Sequence, residues 1–395
     1  MAKEGAVNVW GKLAKRFDGN QQRKHRLLAL DGGGIRGVVT LEILKKIENL
    51  LAEATGKGAN FRLSDYFDYV AGTSTGAIIA AGIARGMTVD ELLDFYEKSG
   101  PAMFDKQILL ERWYSLYKAD PLKKLLKKTF GSNTTLKPDD LKCLFLAVTL
   151  NRTTDSPWPI SSNPQAKYND TKRPDCNLNI PLWKIVRAST AAPIFFPPEI
   201  ITWDPADLSK AFVFIDGGMT PYNNPAFLLY RMVTEPVYRL GWPAGEDKLQ
   251  LISVGTGAAP SVEKFSFVPG QGVIANASAI PLSLMYGAMV DQDINCRHIG
   301  RCVHGDVIDR EIGDLIPVDQ QGRRFPLSEN LGRRFLYARY NANLCREELC
   351  NQGLDDIDPV KVQKLDAITQ IENLRRIGRK AAEQVTREHF EGFID

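Results

Sequence analysis

The chain has 395 residues, 44% hydrophobic and 25% charged, a balance ordinary for a soluble globular protein of one large domain or two smaller ones. Its net charge of +3 is too small to argue for nucleic acid, so no DNA or RNA partner is expected. No apolar run approaches the roughly 20 residues of a membrane span, and the opening MAKEGAVNVW lacks one long enough for a signal peptide.

Residues 1–25 form a basic lead-in. Val7, Trp10, Ala14 and Phe17 recur at helical spacing with Leu13 beside them, while Lys12, Lys15 and Arg16 take the other side. The pattern predicts a basic amphipathic helix, packed on its own domain, on a second subunit or on a membrane surface. RLLAL then predicts a buried strand ending at Asp31, and VVTLEILKKIENLLAEA a helix. DYFDYVAG brings a second strand to an end near Ala71. AIIAAGIARG reads as an apolar helix stopped by Gly86, and TVDELLDFYEKSG opens another. Residues 100–130 run from aromatics (Phe104, Trp113, Tyr114, Tyr117) into lysines (123, 124, 127, 128). CLFLAVTL, AFVFID and LQLISVG are further strands. From about residue 355 a mixed-charge helical pattern packs on the main body. Strand–helix alternation of this kind predicts an α/β fold of three layers, α/β/α, with a mainly parallel central sheet. The expected division is 1–25, 26–260 and 261–395, the last part largely helical toward its end.

The first strand leads into DGGGIRG, in which Gly32, Gly34 and Gly37 satisfy G-x-G-x-x-G. A dinucleotide-binding loop is one reading, and with it a nicotinamide- or flavin-dependent oxidoreductase. That reading also requires an acid at the end of the second strand. Glu53 is near the right distance but falls within a helical run. Alternatively, the glycines expose successive N–H groups at a helix N-terminus, a nest that holds an oxyanion as readily as a phosphate, with Arg36 adding positive charge. A Gly-rich turn of purely structural purpose is the third.

GTSTG, Gly72 to Gly76, has the form G-x-S-x-G at a second strand–helix turn. A tight turn there raises the Ser74 hydroxyl, and Gly72 and Gly76 remove side chains that would clash. A nucleophilic serine needs a base. Ser74, Asp216 and His298 or His304 stand in the order of a Ser–Asp–His hydrolase, yet INCRHIGRCVH has no clear strand–loop setting. Asp216 ends an apolar strand before Gly217 and Gly218, at the tip where parallel sheets place their sites. No pair of the four His has metal-ligand spacing, so no zinc site is expected. Six scattered Cys without a C-x-x-C pair fit free thiols in a reducing cytoplasm.

Taken in order, DGGGIRG, GTSTG and DGG resemble the patatin-like phospholipase family. LSDYFDYVAGTSTGAIIAA, FYEKSGPAMF, VRASTAAPIFFPP and LISVGTG extend the likeness over about residues 26–260. The resemblance implies a Ser–Asp dyad without histidine: Ser74 as nucleophile and Asp216 as general base. It further implies an oxyanion hole from Gly32, Gly33 and Gly34 with Arg36 near it, and neither calcium nor another cofactor. Substrates would be membrane phospholipids or galactolipids, met at the inner membrane surface by a cytoplasmic enzyme. Residues 100–117 could line an acyl channel, and LKKLLKKTF could offer lysines to anionic head groups. Some stand-alone bacterial members act in antiviral defence, switched on by a cyclic oligonucleotide. A similar switch here would draw on Arg297, Arg301, Arg323, Arg324, Arg333 and Arg334, with assembly into a homo-oligomer through the helix around Trp10. A non-catalytic lipid-binding or interaction protein is the remaining alternative.

Overall fold

The computed structural model describes residues 8–17, 23–104, 121–193, 195–204, 206–259, 273–316, 318 and 332–394. Among these residues nine strands form one sheet: β1 (His25–Leu30), β2 (Tyr69–Thr73), β3 (Leu144–Asn151), β4 (Ser156–Ser161), β5 (Glu199–Thr202), β6 (Ala211–Asp216), β7 (Leu249–Val254), β8 (Arg301–His304) and β9 (Leu336–Tyr340). Their order is β5-β6-β3-β2-β1-β7-β9-β8, with β4 also on β3. From β3 through β8 every neighbour along that order is parallel; the antiparallel pairs are β3–β4, β3–β6 and β5–β6.

The central strands are buried on both faces, which is why they read as unbroken apolar runs. In β1, Leu28 and Leu30 point into one core and Leu27 and Ala29 into the other. The first core is roofed by the helices Gly37–Ala54, Thr75–Arg85, Val89–Phe104, Leu182–Ser189 and Ile371–Ala382. The helix Ala226–Thr234 and the end of the helix Val273–Ile299 cover the second. The expected three layers are therefore present, with a mainly parallel sheet between them.

Residue 260 is not the edge of a unit, because β8 and β9 continue the same sheet beyond β7. The N-terminal segment packs against the same body. Its described part is a 3-10 turn, Gly11–Leu13, and one helical turn, Ala14–Phe17. Trp10 and Leu13 are buried in the second core. Arg16 holds this segment down, with Nε on the fully buried Asp68 at 2.8 Å and Nη2 on the Phe67 carbonyl at 2.8 Å. The Trp10 indole is therefore part of this chain's own core. The helix Pro121–Phe130 buries Leu122, Leu126 and Phe130, and its Lys123 and Lys127 lie over the Trp183 ring. The proposed acyl-channel residues 105–117 lie outside the described residues. No described helix is long and apolar enough to cross a membrane.

Candidate active site

Three chain segments meet at the C-terminal ends of β1, β2 and β6. Their meeting follows from how β3 shares its edges. One edge is taken by β4 from Leu146 to Asn151. The other belongs to β2 as far as Thr73↔Val148, and then to β6, which enters antiparallel at Thr149↔Asp216. Since β2 ends where β6 begins, the residue after Thr73 and the last residue of β6 become neighbours.

Ser74 caps the helix Thr75–Arg85 with φ +53°, a left-handed conformation rare for a residue with a Cβ. This is the strained strand–turn–helix geometry that lifts a hydroxyl above the sheet. Both flanking glycines are needed at close approaches. A Cβ on Gly72 would stand 2.1 Å from the Gly76 carbonyl oxygen, and one on Gly76 2.3 Å from that of Leu30. The Ser74 Oγ donates to Asp216 Oδ2 at 2.6 Å. The other carboxylate oxygen, Oδ1, accepts the Gly218 N–H at 2.7 Å.

Burial pushes the Asp216 carboxyl up to about 6, against the opposing pull of the Ser74 and Gly218 hydrogen bonds and the Arg187 cation. A base must be unprotonated to accept a proton. Turnover of a soluble ester is therefore expected to rise with pH through about 6 and level off above it, a limb measurable as kcat/KM against pH. A profile flat down to about pH 4.5, below which an ordinary aspartate would protonate, would remove Asp216 from the role of base.

The glycine loop lies beside this pair, with Gly32 close enough that a Cβ would stand 3.3 Å from the Ser74 Cβ. The Gly32 N–H is already given to the Asn223 carbonyl at 3.1 Å, which corrects its expected part as an oxyanion donor; Gly32 supplies room instead. Gly33 and Gly34 donate their N–H groups to no described residue. Arg36 gives its Nε to the Gly33 carbonyl at 3.3 Å and its Nη1 to the Gly257 carbonyl at 2.9 Å, clamping the loop to the turn after β7.

Several residues of the site went unassigned in the sequence. Ser189 accepts the Ser74 N–H on its Oγ at 3.0 Å and donates to the Val148 carbonyl at 2.6 Å, so it fixes the elbow. Arg187, buried two residues earlier, is the cation that acts on Asp216. Both belong to VRASTAAPIFFPP, a stretch the sequence singled out without giving its side chains a part. Thr256 Oγ1 donates to the Gly32 carbonyl at 3.1 Å.

The histidines are elsewhere. His304 lies on β8, four strands from β2, or roughly 19 Å at about 4.8 Å per strand. Its Nε2 is paired with Gln384 at 3.1 Å. His298 is exposed at the end of the helix Val273–Ile299, so INCRHIGRCVH is a helix end running into β8. The dinucleotide reading loses its second requirement as well, since β2 ends in the uncharged Thr73. Arg297 is not open to phosphate. Buried, it binds Asp293 through Nε at 3.0 Å and Nη2 at 2.7 Å, and the Asp306 and Asp314 carbonyls through Nη1. Arg334 meets the Tyr230 hydroxyl at 3.2 Å, and Arg323 and Arg324 lie outside the described residues. Among the described residues no group of three His, Cys, Asp or Glu is placed to hold a metal ion.

The site thus sets a serine on a strained elbow, bonded directly to a buried carboxylate, beside two backbone N–H groups that donate to no described residue, on a mainly parallel α/β sheet. A model of the patatin-like phospholipase family matches residues 28–230, just over half the chain, and the chain belongs to that family. Among its relatives is the cGAMP-activated phospholipase of Vibrio cholerae, 31% identical over 242 residues, covering 58% of this chain and 64% of that one. Patatin-like protein 1 of Arabidopsis thaliana is 29% identical over 61% of this chain and 60% of its own. The mouse 85/88 kDa calcium-independent phospholipase A2 is 30% identical over 62% of this chain but only 28% of its own. The chain thus matches less than two thirds of the length of each of these relatives.

Proposed function

We propose that this protein hydrolyses acyl esters of membrane glycerolipids, phospholipids first, through a Ser74–Asp216 dyad. The observation that carries the reading is the direct 2.6 Å bond between Ser74 Oγ and Asp216 Oδ2, beside the Gly33 and Gly34 N–H groups, which donate to no described residue. In the first step Asp216 takes the Ser74 proton and Oγ adds to the ester carbonyl. The negative oxygen that develops is received by the two glycine N–H groups. Collapse of this intermediate breaks the C–O bond, and the lysolipid alcohol leaves with the proton held by Asp216. Asp216 then takes a proton from water, whose oxygen attacks the acyl-enzyme. Free fatty acid is released and Ser74 Oγ–H restored.

The site of action in this reading is the inner membrane surface, reached from the cytoplasm. Activation by a cyclic oligonucleotide in antiviral defence belongs to the same proposal. It rests on the likeness to relatives named for cGAMP activation, and not on Arg297, which is already paired. A ligand shifts a resting state only by its differential affinity for the active one. The test incubates the chain with phospholipid vesicles and a panel of cyclic di- and oligonucleotides, reading fatty-acid release and light scattering together. Release that depends on one nucleotide and is absent in Ser74→Ala is the expected result. Full release from the ligand-free chain, unchanged across the panel, would leave a constitutive lipase; no release under any condition would remove the hydrolase reading.

A further inference from the structure

We propose that Arg339 is a positioning residue for this hydrolysis, setting the place of the Gly33 and Gly34 N–H groups through a buried ion pair with Asp31. The inference rests on the hydrolase reading above. Asp31 is the residue after β1 and the one before Gly32. Its backbone N–H is held by the Val254 carbonyl of β7 at 3.1 Å. Arg339 reaches it from β9, 308 residues later, in a forked pair: Nη1 on Oδ1 at 2.9 Å and Nη2 on Oδ2. The same Nη1 donates to Ser253 Oγ at 2.7 Å. Both side chains are almost wholly buried, at 3% and 0% exposure.

Physical reasons favour position over stability as the purpose of this pair. A run of three glycines has no side chains with which to pack itself in place, and bare backbone is free to wander. It needs fixed points, and the side chain of Asp31 is the nearest one upstream. A buried ion pair is weak support for stability, because desolvating both charges offsets most of their attraction. Its forked geometry, by contrast, tolerates little displacement. The surroundings are cut to admit it. A Cβ on Gly255 would stand 3.0 Å from Arg339 Nη2. Asp293, which lines the same cavity as Arg339, is bonded to the Tyr337 hydroxyl at 2.8 Å and to Arg297. On its other side Arg339 borders a cavity of about 140 Å³ with Asp293, Arg297, Asn341 and Tyr286, which gives a small cation a way in.

The experiment uses the whole chain and a soluble chromogenic ester. Loss of turnover in Ser74→Ala first ties the activity to the site; if that variant stays active, the hydrolase reading fails and not the positioning role. In Arg339→Ala, kcat is expected to fall on the order of 100-fold, the loss that follows a misplacement of about 1 Å. KM should stay within about 3-fold, because a donor to the oxyanion acts in the transition state and not on bound substrate. Millimolar guanidinium should restore kcat to Arg339→Ala, where it finds the vacated space, and should do nothing for Asp31→Asn. Should Arg339→Ala fail to fold, Asp31→Asn decides the matter, since it keeps the shape and removes the charge. A folded variant with wild-type kcat, a loss confined to KM, or no response of Arg339→Ala to guanidinium overturns the proposal.

Discussion

Ser74→Ala and Asp216→Asn should each lower turnover by on the order of 10⁴- to 10⁶-fold, and the double variant should be no worse than the more damaged single one. The two side chains act as one unit. The hydroxyl is a weak nucleophile until a base takes its proton, and the base has nothing to do once the hydroxyl is gone. Their 2.6 Å bond leaves no space for a third group between them. Both variants should fold. Asp216→Asn should melt above the parent at pH 8, and the sign follows from its raised value. A carboxyl at about 6 when folded and near 4 when unfolded holds its proton more tightly in the folded state. Its ionisation therefore favours the unfolded chain as pH rises through that window, and an amide removes the penalty. Circular-dichroism melts at pH 5 and pH 8, with ester turnover on the same samples, check both statements. An active Asp216→Asn, or an inactive but folded His304→Ala, would replace the dyad with another base.

The second large effect is expected at Gly33→Ala, with kcat down by about 10²- to 10³-fold, the loss produced by removing an oxyanion donor in other acyl-transfer enzymes. Gly33 has no left-handed requirement; what excludes a side chain there is space. An added Cβ would stand 2.1 Å from Thr256 Oγ1 and 2.5 Å from Thr256 Cβ. Either the loop or Thr256 must move, and Thr256 is tied to the Gly32 carbonyl. Both routes turn the Gly33 and Gly34 N–H groups away from the carbonyl oxygen. The substrate's acyl chain touches none of these atoms in the reading given, so KM should change little. Steady-state kinetics on a soluble ester separates the two parameters, and nicotinamide binding on the same sample tests the rival use of the loop. Unchanged kcat in Gly33→Ala would take the oxyanion hole away from this loop.

Much of the site was legible because its chemistry is written in short runs. DGGGIRG, GTSTG and AFVFIDGG each stand at a strand end, and a strand end is a local property of apolar runs and glycine. The strands read from sequence fall at β1, β3, β6 and β7 within a residue of their bounds; β2 begins four residues after the start of DYFDYVAG, because Leu63–Tyr66 is helical. Less visible were the strands whose residues break local rules. SPWPIS places two prolines in β4, tolerated because β4 has β3 as its neighbour and leaves its other side unpaired. RCVH and LYARY are short and charged. LYARY becomes β9 because β7 offers it an open edge, and β9 in turn offers one to RCVH as β8.

By itself, then, the sequence determined the parallel α/β scheme and the two residues at its strand tips. Those features depend on hydrophobic period and on glycine, which act over a few residues. Tertiary structure alone decided that Thr73 and Asp216 share one edge of β3, the adjacency that turns two separate motifs into a bonded pair. It also decided that Gly32 gives its N–H to Asn223, that Trp10 is core and not surface, and that Arg339 holds Asp31. Each of these is a contact between residues far apart in the chain. Which partner a buried donor or charge finds is set by the packing of the whole sheet, and no local pattern records it.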